Sequence, residues 1–81
     1  MKIKVLFFAK LKEIFGESYR VMDIPEGSCV NEVVDRLAGE SAGFALKEIP
    51  LVFAVNEDFE SGSKMLADQD HLAIMTPMAG G

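Results

Sequence analysis

Cysteine and histidine are nearly missing from this chain: each occurs once among its 81 residues, as Cys29 and His71. A single cysteine excludes an intramolecular disulfide, and one Cys with one His falls short of the ligand count of any ordinary zinc site. No nucleophile with a base and an orienting group stands out, so intrinsic catalysis is not expected. Positive charge is scarce too. Eight Lys and Arg face thirteen Asp and Glu, a formal charge of −5, and the basic residues are scattered; such a surface repels phosphate backbones and argues against a nucleic-acid partner. No apolar run has bilayer-spanning length and no signal peptide is recognisable. The reading is a soluble protein without a membrane partner, in a reducing compartment, most simply the cytoplasm. Repeats, low-complexity linkers and domain boundaries are absent. The length suits one small domain, residues 1–81, with a single core and no room for a spacious buried active site. No bound cofactor and no metal are expected.

What the chain does have is apolar content, 49% of residues with six Phe and five Met, which marks it as globular. Residues Ile3 to Ala9 alternate as a strand, with Ile3, Val5 and Phe7 on one face and Lys2, Lys4, Leu6 and Phe8 on the other. A short helix over Lys10 to Phe15 stops at Gly16, and β-formers return over Ser18 to Ile24. Pro25-Glu26-Gly27 makes a turn. Ser28 is then placed to cap a helix whose Val30, Val33, Val34 and Leu37 form one apolar stripe, with Gly39 as its stop. Ser41 to Ile49 reads as an irregular helical segment or a loop, closed by Pro50. Leu51 to Val55 is an apolar run expected to be covered on both faces or nearly so.

Turn chemistry follows at Asn56-Glu57-Asp58 and at Ser61-Gly62-Ser63. A short irregular strand is expected around Lys64 to Leu66, then a tight turn at Ala67 to Asp70 and a last strand over His71 to Thr76, ended by Pro77. The acidic pairs Glu57/Asp58 and Asp68/Asp70 lack calcium-loop spacing and read as solvated turn residues. Cys29 reads as a small packed residue, His71 as a surface residue, and the glycines at 39, 43 and 62 form no phosphate-binding pattern.

One main helix among strands in the order β, β, α, β, short β, β gives an α+β fold. A mixed sheet of four to five strands packed on that helix is the β-grasp, the ubiquitin-like architecture; a ferredoxin-like sandwich needs a second helix as strong as the first. In a β-grasp the last strand lies beside the first in the middle of the sheet. Phe8 and Met75 then become neighbours on the face away from the helix. Phe59, just past the Asn56 turn, cannot easily reach the core. These three are expected to form an apolar docking face, the alternative for Phe59 being a cap on the core edge.

The sequence ends Thr76-Pro77-Met78-Ala79-Gly80-Gly81. Glycine has no side chain to bury and loses the most backbone freedom on ordering, so the pair is poor packing material. Its expected use lies outside the fold, in a free tail over 77–81 slim enough for a narrow channel, with the α-carboxylate of Gly81 open to attack. Two terminal glycines arise by chance in roughly one chain in two hundred, so the tail gains weight only alongside other residues.

Those residues are Ile3-Lys4-Val5-Leu6-Phe7-Phe8-Ala9, Phe53-Ala54-Val55-Asn56, the acidic turn Asp68-Gln69-Asp70, and the ending Thr76 to Gly81. Together they resemble, end to end, the small subunits of molybdopterin synthase, a family of β-grasp sulfur carriers. Two departures are visible: Gln69-Asp70-His71-Leu72 replaces the usual Gly-Asp-Glu-Val, and Thr76-Pro77-Met78 replaces the usual Pro-Pro-Val. The thiamine-type sulfur carrier, with the same fold and tail but typically shorter, is the runner-up. The resemblance implies that an adenylyltransferase of the ubiquitin-activating type uses ATP to make an acyl-adenylate at Gly81. A sulfur donor protein then displaces AMP. The resulting thiocarboxylate, on the slim tether of Ala79 and Gly80, enters the active site of a large subunit within a heterotetramer. There, two sulfur transfers convert a cyclic pyranopterin precursor into the dithiolene of molybdopterin. The catalytic groups belong to the partners, and the resemblance places Phe8, Phe59, Met75, Pro77 and Met78 among partner-binding positions. Two further classes fit the same tail: a ubiquitin-like modifier joined to lysines through Gly81, and an adaptor domain with an incidental ending.

Overall fold

The computed structural model describes residues 1–43 and 46–77. The alternation that opens the sequence becomes β1 (Lys2–Phe7), whose Ile3, Val5 and Phe7 are buried. It continues through α1 (Lys10–Phe15), ended by Gly16 at φ 70°, a left-handed conformation suited to glycine. β2 (Tyr19–Asp23) returns antiparallel to β1. The stripe of Val30, Val33, Val34 and Leu37 produces α2 (Val30–Ala38), and all four are buried against the sheet. Two short 3-10 turns, Ser41–Gly43 and Leu46–Glu48, lead to β3 (Val52–Val55), then β4 (Asp58–Glu60) and β5 (His71–Met75).

The strands form one sheet in the order β2-β1-β5-β3-β4. β1 and β5 run parallel at its centre, and the other neighbours are antiparallel. One face carries α2 and the core, to which Leu11, Leu46, Val55, Leu66, Leu72 and Ile74 also belong. This is the β-grasp expected from the sequence. At one end of the core the rings of Phe7 and Phe15 stack, centroids 4.7 Å apart. Arg20 closes that end, its guanidinium 5.9 Å and 5.6 Å from the two ring centroids and bonded to Glu40 at 2.6 Å and Glu17 at 2.7 Å. The hydrogen bond to Glu40, more than any other contact, raises the pKa of Arg20 above the ordinary guanidinium value.

Several local expectations are corrected. Cys29, not Ser28, is the N-cap of α2; Ser28 is buried and its hydroxyl donates back to the Pro25 carbonyl at 2.6 Å. The Glu32 carboxylate accepts the Cys29 amide at 3.2 Å, as in the acidic half of a capping box. Cys29 itself is only partly buried. The short strand lies at Asp58–Glu60 and not at Lys64 to Leu66. Residues 62–66 instead seat the start of α2: the amides of Asn31 and Val30 donate to the carbonyls of Gly62 and Lys64, and Met65 bridges Cys29. β3 is buried on both faces at Ala54 and Val55 while Val52 and Phe53 stay half-buried, so its cover is nearly the two-sided one expected. Asp68 and Asp70 are more than solvated turn residues. Asp68 accepts the Lys2 amide at 2.8 Å, chiefly for which its pKa is lowered, and Asp70 accepts the Ala67 amide at 2.8 Å.

Candidate functional site

Side chains alternate across a strand, so every second residue of each strand points away from α2. The pairing register aligns Tyr19, Leu6, Ala73, Ala54 and Phe59 as one row across all five strands on that outer face. Val52 and Met75 pair in the next row, toward the end of the sheet where Phe8 follows β1. Val21, Lys4 and His71 lie on the opposite side of the central row. Of the large apolar residues here, Phe8 is 47% exposed, Tyr19 53%, Val21 57% and Phe59 77%. Leu6, Val52 and Met75 are half-buried. An uncovered apolar row of this breadth is the usual mark of an interaction surface.

Phe8, Met75 and Phe59 therefore share a face, as expected, and Phe59 does not cap the core. They do not touch as a compact trio, because Phe59 on β4 lies three strand spacings from β1, roughly 14 Å. Between the flanks the face dips. Ala54 and Ala73, paired across β3 and β5, stand at the middle of the row, and with Leu6, Phe8, Asn56, Glu57 and His71 they line a concavity of about 490 Å³. The alternation of β1 and β5 pointed to Phe8 and Met75. Tyr19 and Val21 were missed because β2 is apolar on both faces, Met22 being buried on the other; the signal was the matching alternation of Tyr19, Val21 and Asp23.

The rim is held by hydrogen bonds. Asn56 donates through Nδ2 to Asp70 at 2.9 Å and accepts the His71 amide on Oδ1 at 2.9 Å, while its own amide donates to the His71 carbonyl at 2.9 Å. The turn after β3 is thereby tied to the start of β5. Lys4 extends its ammonium over the ring of Tyr19, 4.4 Å from the centroid.

β5 leaves the sheet at Met75, beside the row that holds Val52, and the chain passes through half-buried Thr76 to exposed Pro77. Met78, Ala79, Gly80 and Gly81, all named as site residues from the sequence, lie outside the described residues. Among the described residues no three His, Cys, Asp or Glu gather as a metal site, and no helix is long and apolar enough to cross a membrane.

Residues 5–81 match the sequence profile of the ThiS family. The chain is similar to the molybdopterin synthase sulfur carrier subunit of Arabidopsis thaliana, 31% identical over 81 residues that span 100% of this chain and 84% of the relative. It is similar also to that of Escherichia coli (strain K12), 34% identical over 83 residues, covering 98% of this chain and 99% of the relative. Among solved structures, SAMP1 from Haloferax volcanii shares the fold with a TM-score of 0.83 at 20% identity, covering 100% of both chains. A complex of subunits 1 and 2 of the molybdopterin-converting factor from Helicobacter pylori contains a chain with the same fold, TM-score 0.71 at 20% identity and 100% coverage of both.

Proposed function

This chain belongs to the ThiS family, and from that premise we propose that it is the sulfur carrier subunit of a molybdopterin synthase, charged as a thiocarboxylate on Gly81. The observation that carries this reading is the likeness to the molybdopterin synthase sulfur carrier subunit of Arabidopsis thaliana, which spans the whole chain and so takes in Gly80-Gly81. The geometry supports it. A carrier needs a rigid body that docks and a thin arm that reaches, and here β5 runs out of the sheet next to the exposed apolar face.

The chemistry follows from the tail. A free carboxylate is a poor acyl donor. An adenylyltransferase of the ubiquitin-activating type converts Gly81 to its acyl-adenylate with release of pyrophosphate from ATP, and hydrosulfide-level sulfur delivered by a sulfur donor protein then displaces AMP to leave the thiocarboxylate. The body docks on each partner through Phe8, Met75 and Phe59, with Pro77 and Met78 at the base of the arm. Ala79 and Gly80 are narrow enough to let the charged end reach the active site of the large subunit, where the sulfur passes to a pyranopterin precursor. Gly81 is thus consumed and recharged. The ATP-dependent charging step and the free Cys29 suit the cytoplasm.

Intact mass spectrometry after incubation with ATP, the activating enzyme and the sulfur donor tests this. The expected product is the chain with one oxygen replaced by sulfur at its C-terminus, absent when one residue is appended after Gly81. Ladders of larger adducts on other proteins, with no sulfur gain, mean a modifier instead.

A further inference from the structure

Val55 pairs with Asp58, so Asn56 and Glu57 are the two loop residues of the β3–β4 hairpin. Both have positive φ, 49° and 76°. Two-residue hairpins of this kind favour Asn followed by Gly, because a side chain at the second position is strained. Asn56 obeys the preference and Glu57 breaks it. A glutamate at a position where the backbone favours glycine directs attention to what its side chain does.

Glu57 lines the concavity on the outer face, at the rim it shares with Asn56 and His71. The Asn56 amide at the same rim is already engaged by Asp70 and the His71 amide. Asp23, at the far corner of the face, is paired with Lys2 at 2.9 Å. Glu57 takes part in no ion pair among the described residues, which leaves it the uncommitted carboxylate of this face. Beneath it, the floor formed by Ala54 and Ala73 offers only methyl groups, flanked by Leu6 and Phe8. An apolar floor with one carboxylate at its edge fits a side chain with a methylene stem and a cationic head. Burying the carboxylate under a partner without such a counter-charge would cost binding energy.

Resting on the function proposed above, we infer that this concavity is the socket for one basic side chain of the large subunit. Its stem lies on Ala54 and Ala73, and its head pairs with Glu57. The carboxylate sets orientation and selectivity above an apolar floor whose rim also carries Asn56 and His71.

The test is calorimetric titration of the wild-type chain, Glu57→Gln, Glu57→Gly and Ala73→Leu against the purified large subunit from the same organism, at low and high salt, beside thermal melts. Glu57→Gln is expected to weaken binding about tenfold or more and to flatten its salt dependence. Glu57→Gly should weaken it equally while the melting temperature holds or rises, which separates the contact from the fold. Ala73→Leu should fill the socket and weaken binding with the fold retained. If both Glu57 variants bind as the wild type does, with unchanged salt dependence, while Phe8→Ala still weakens binding, the socket is overturned and the proposed function stands. A wild-type chain that does not bind the large subunit overturns both.

Discussion

At the scale of single residues, exposure separates docking side chains from structural ones. Phe8 and Phe59 stand 47% and 77% exposed, so removing either ring takes little from the core. If partners cover them, each acts as an aromatic anchor, and truncating a buried anchor costs on the order of 2 kcal/mol of affinity. Phe8→Ala and Phe59→Ala are therefore expected to weaken binding of the large subunit and of the activating enzyme with nearly unchanged melting temperature. Titration calorimetry alongside thermal melts checks this; melts that fall together with affinity would place the rings in the core after all. Asp68 is the structural counterpart. Its folded pKa is lowered, first by the hydrogen bond from the Lys2 amide, so its contribution is complete above the ordinary carboxylate range and is lost as pH falls through the lower folded value. Asp68→Asn keeps an acceptor but removes the titration. Its stability should fall less steeply in acid than that of the wild type, as thermal melts from neutral pH down to about pH 2 would show.

At the scale of elements, the Asn56 clasp joins the β3–β4 turn to the entry of β5, and with it the rim of the concavity. Asn56→Ala loses two side-chain hydrogen bonds, worth about 1 kcal/mol each or less at this exposure, and puts alanine at φ 49°. A loss of about 2 kcal/mol, or roughly 10 °C in melting temperature, is expected. Asn56→Gly relieves the backbone and isolates the clasp, so it should fall between the two. The elements that were legible in the sequence are those whose pattern is local. The stripe of Val30, Val33, Val34 and Leu37 specified α2, and Lys10 to Gly16 specified α1 and its stop. β4 was not legible, because Asp58-Phe59-Glu60 is short, follows turn-forming residues, and owes its strand character to pairing with β3. The helix cap moved from Ser28 to Cys29 because Ser28 turns inward to the Pro25 carbonyl, a choice made by the preceding turn.

At the scale of the whole molecule, the order of elements carried the fold: a single strong helix after two strands leaves few ways to bury one sheet face. The outer face followed from alternation in β1 and β5, but its concavity did not, since Ala54 and Ala73 are far apart in the sequence and meet only through the β3–β5 register. The tail chemistry came from Gly80-Gly81 and the family likeness, and no pattern in the folded body encodes it. In the function proposed above, the chain is a body that docks and an arm that is charged and discharged, with the reactive groups supplied by others. The most direct test of that function is transfer. The purified thiocarboxylated chain is mixed with the large subunit and the cyclic pyranopterin precursor, and dithiolene formation is measured against the loss of C-terminal sulfur by intact mass. The account predicts that two charged chains are converted back to the carboxylate form for each dithiolene made, and that the uncharged chain yields none. A charged chain that keeps its sulfur in the presence of large subunit and precursor, or dithiolene formed equally well with the uncharged chain, would contradict it.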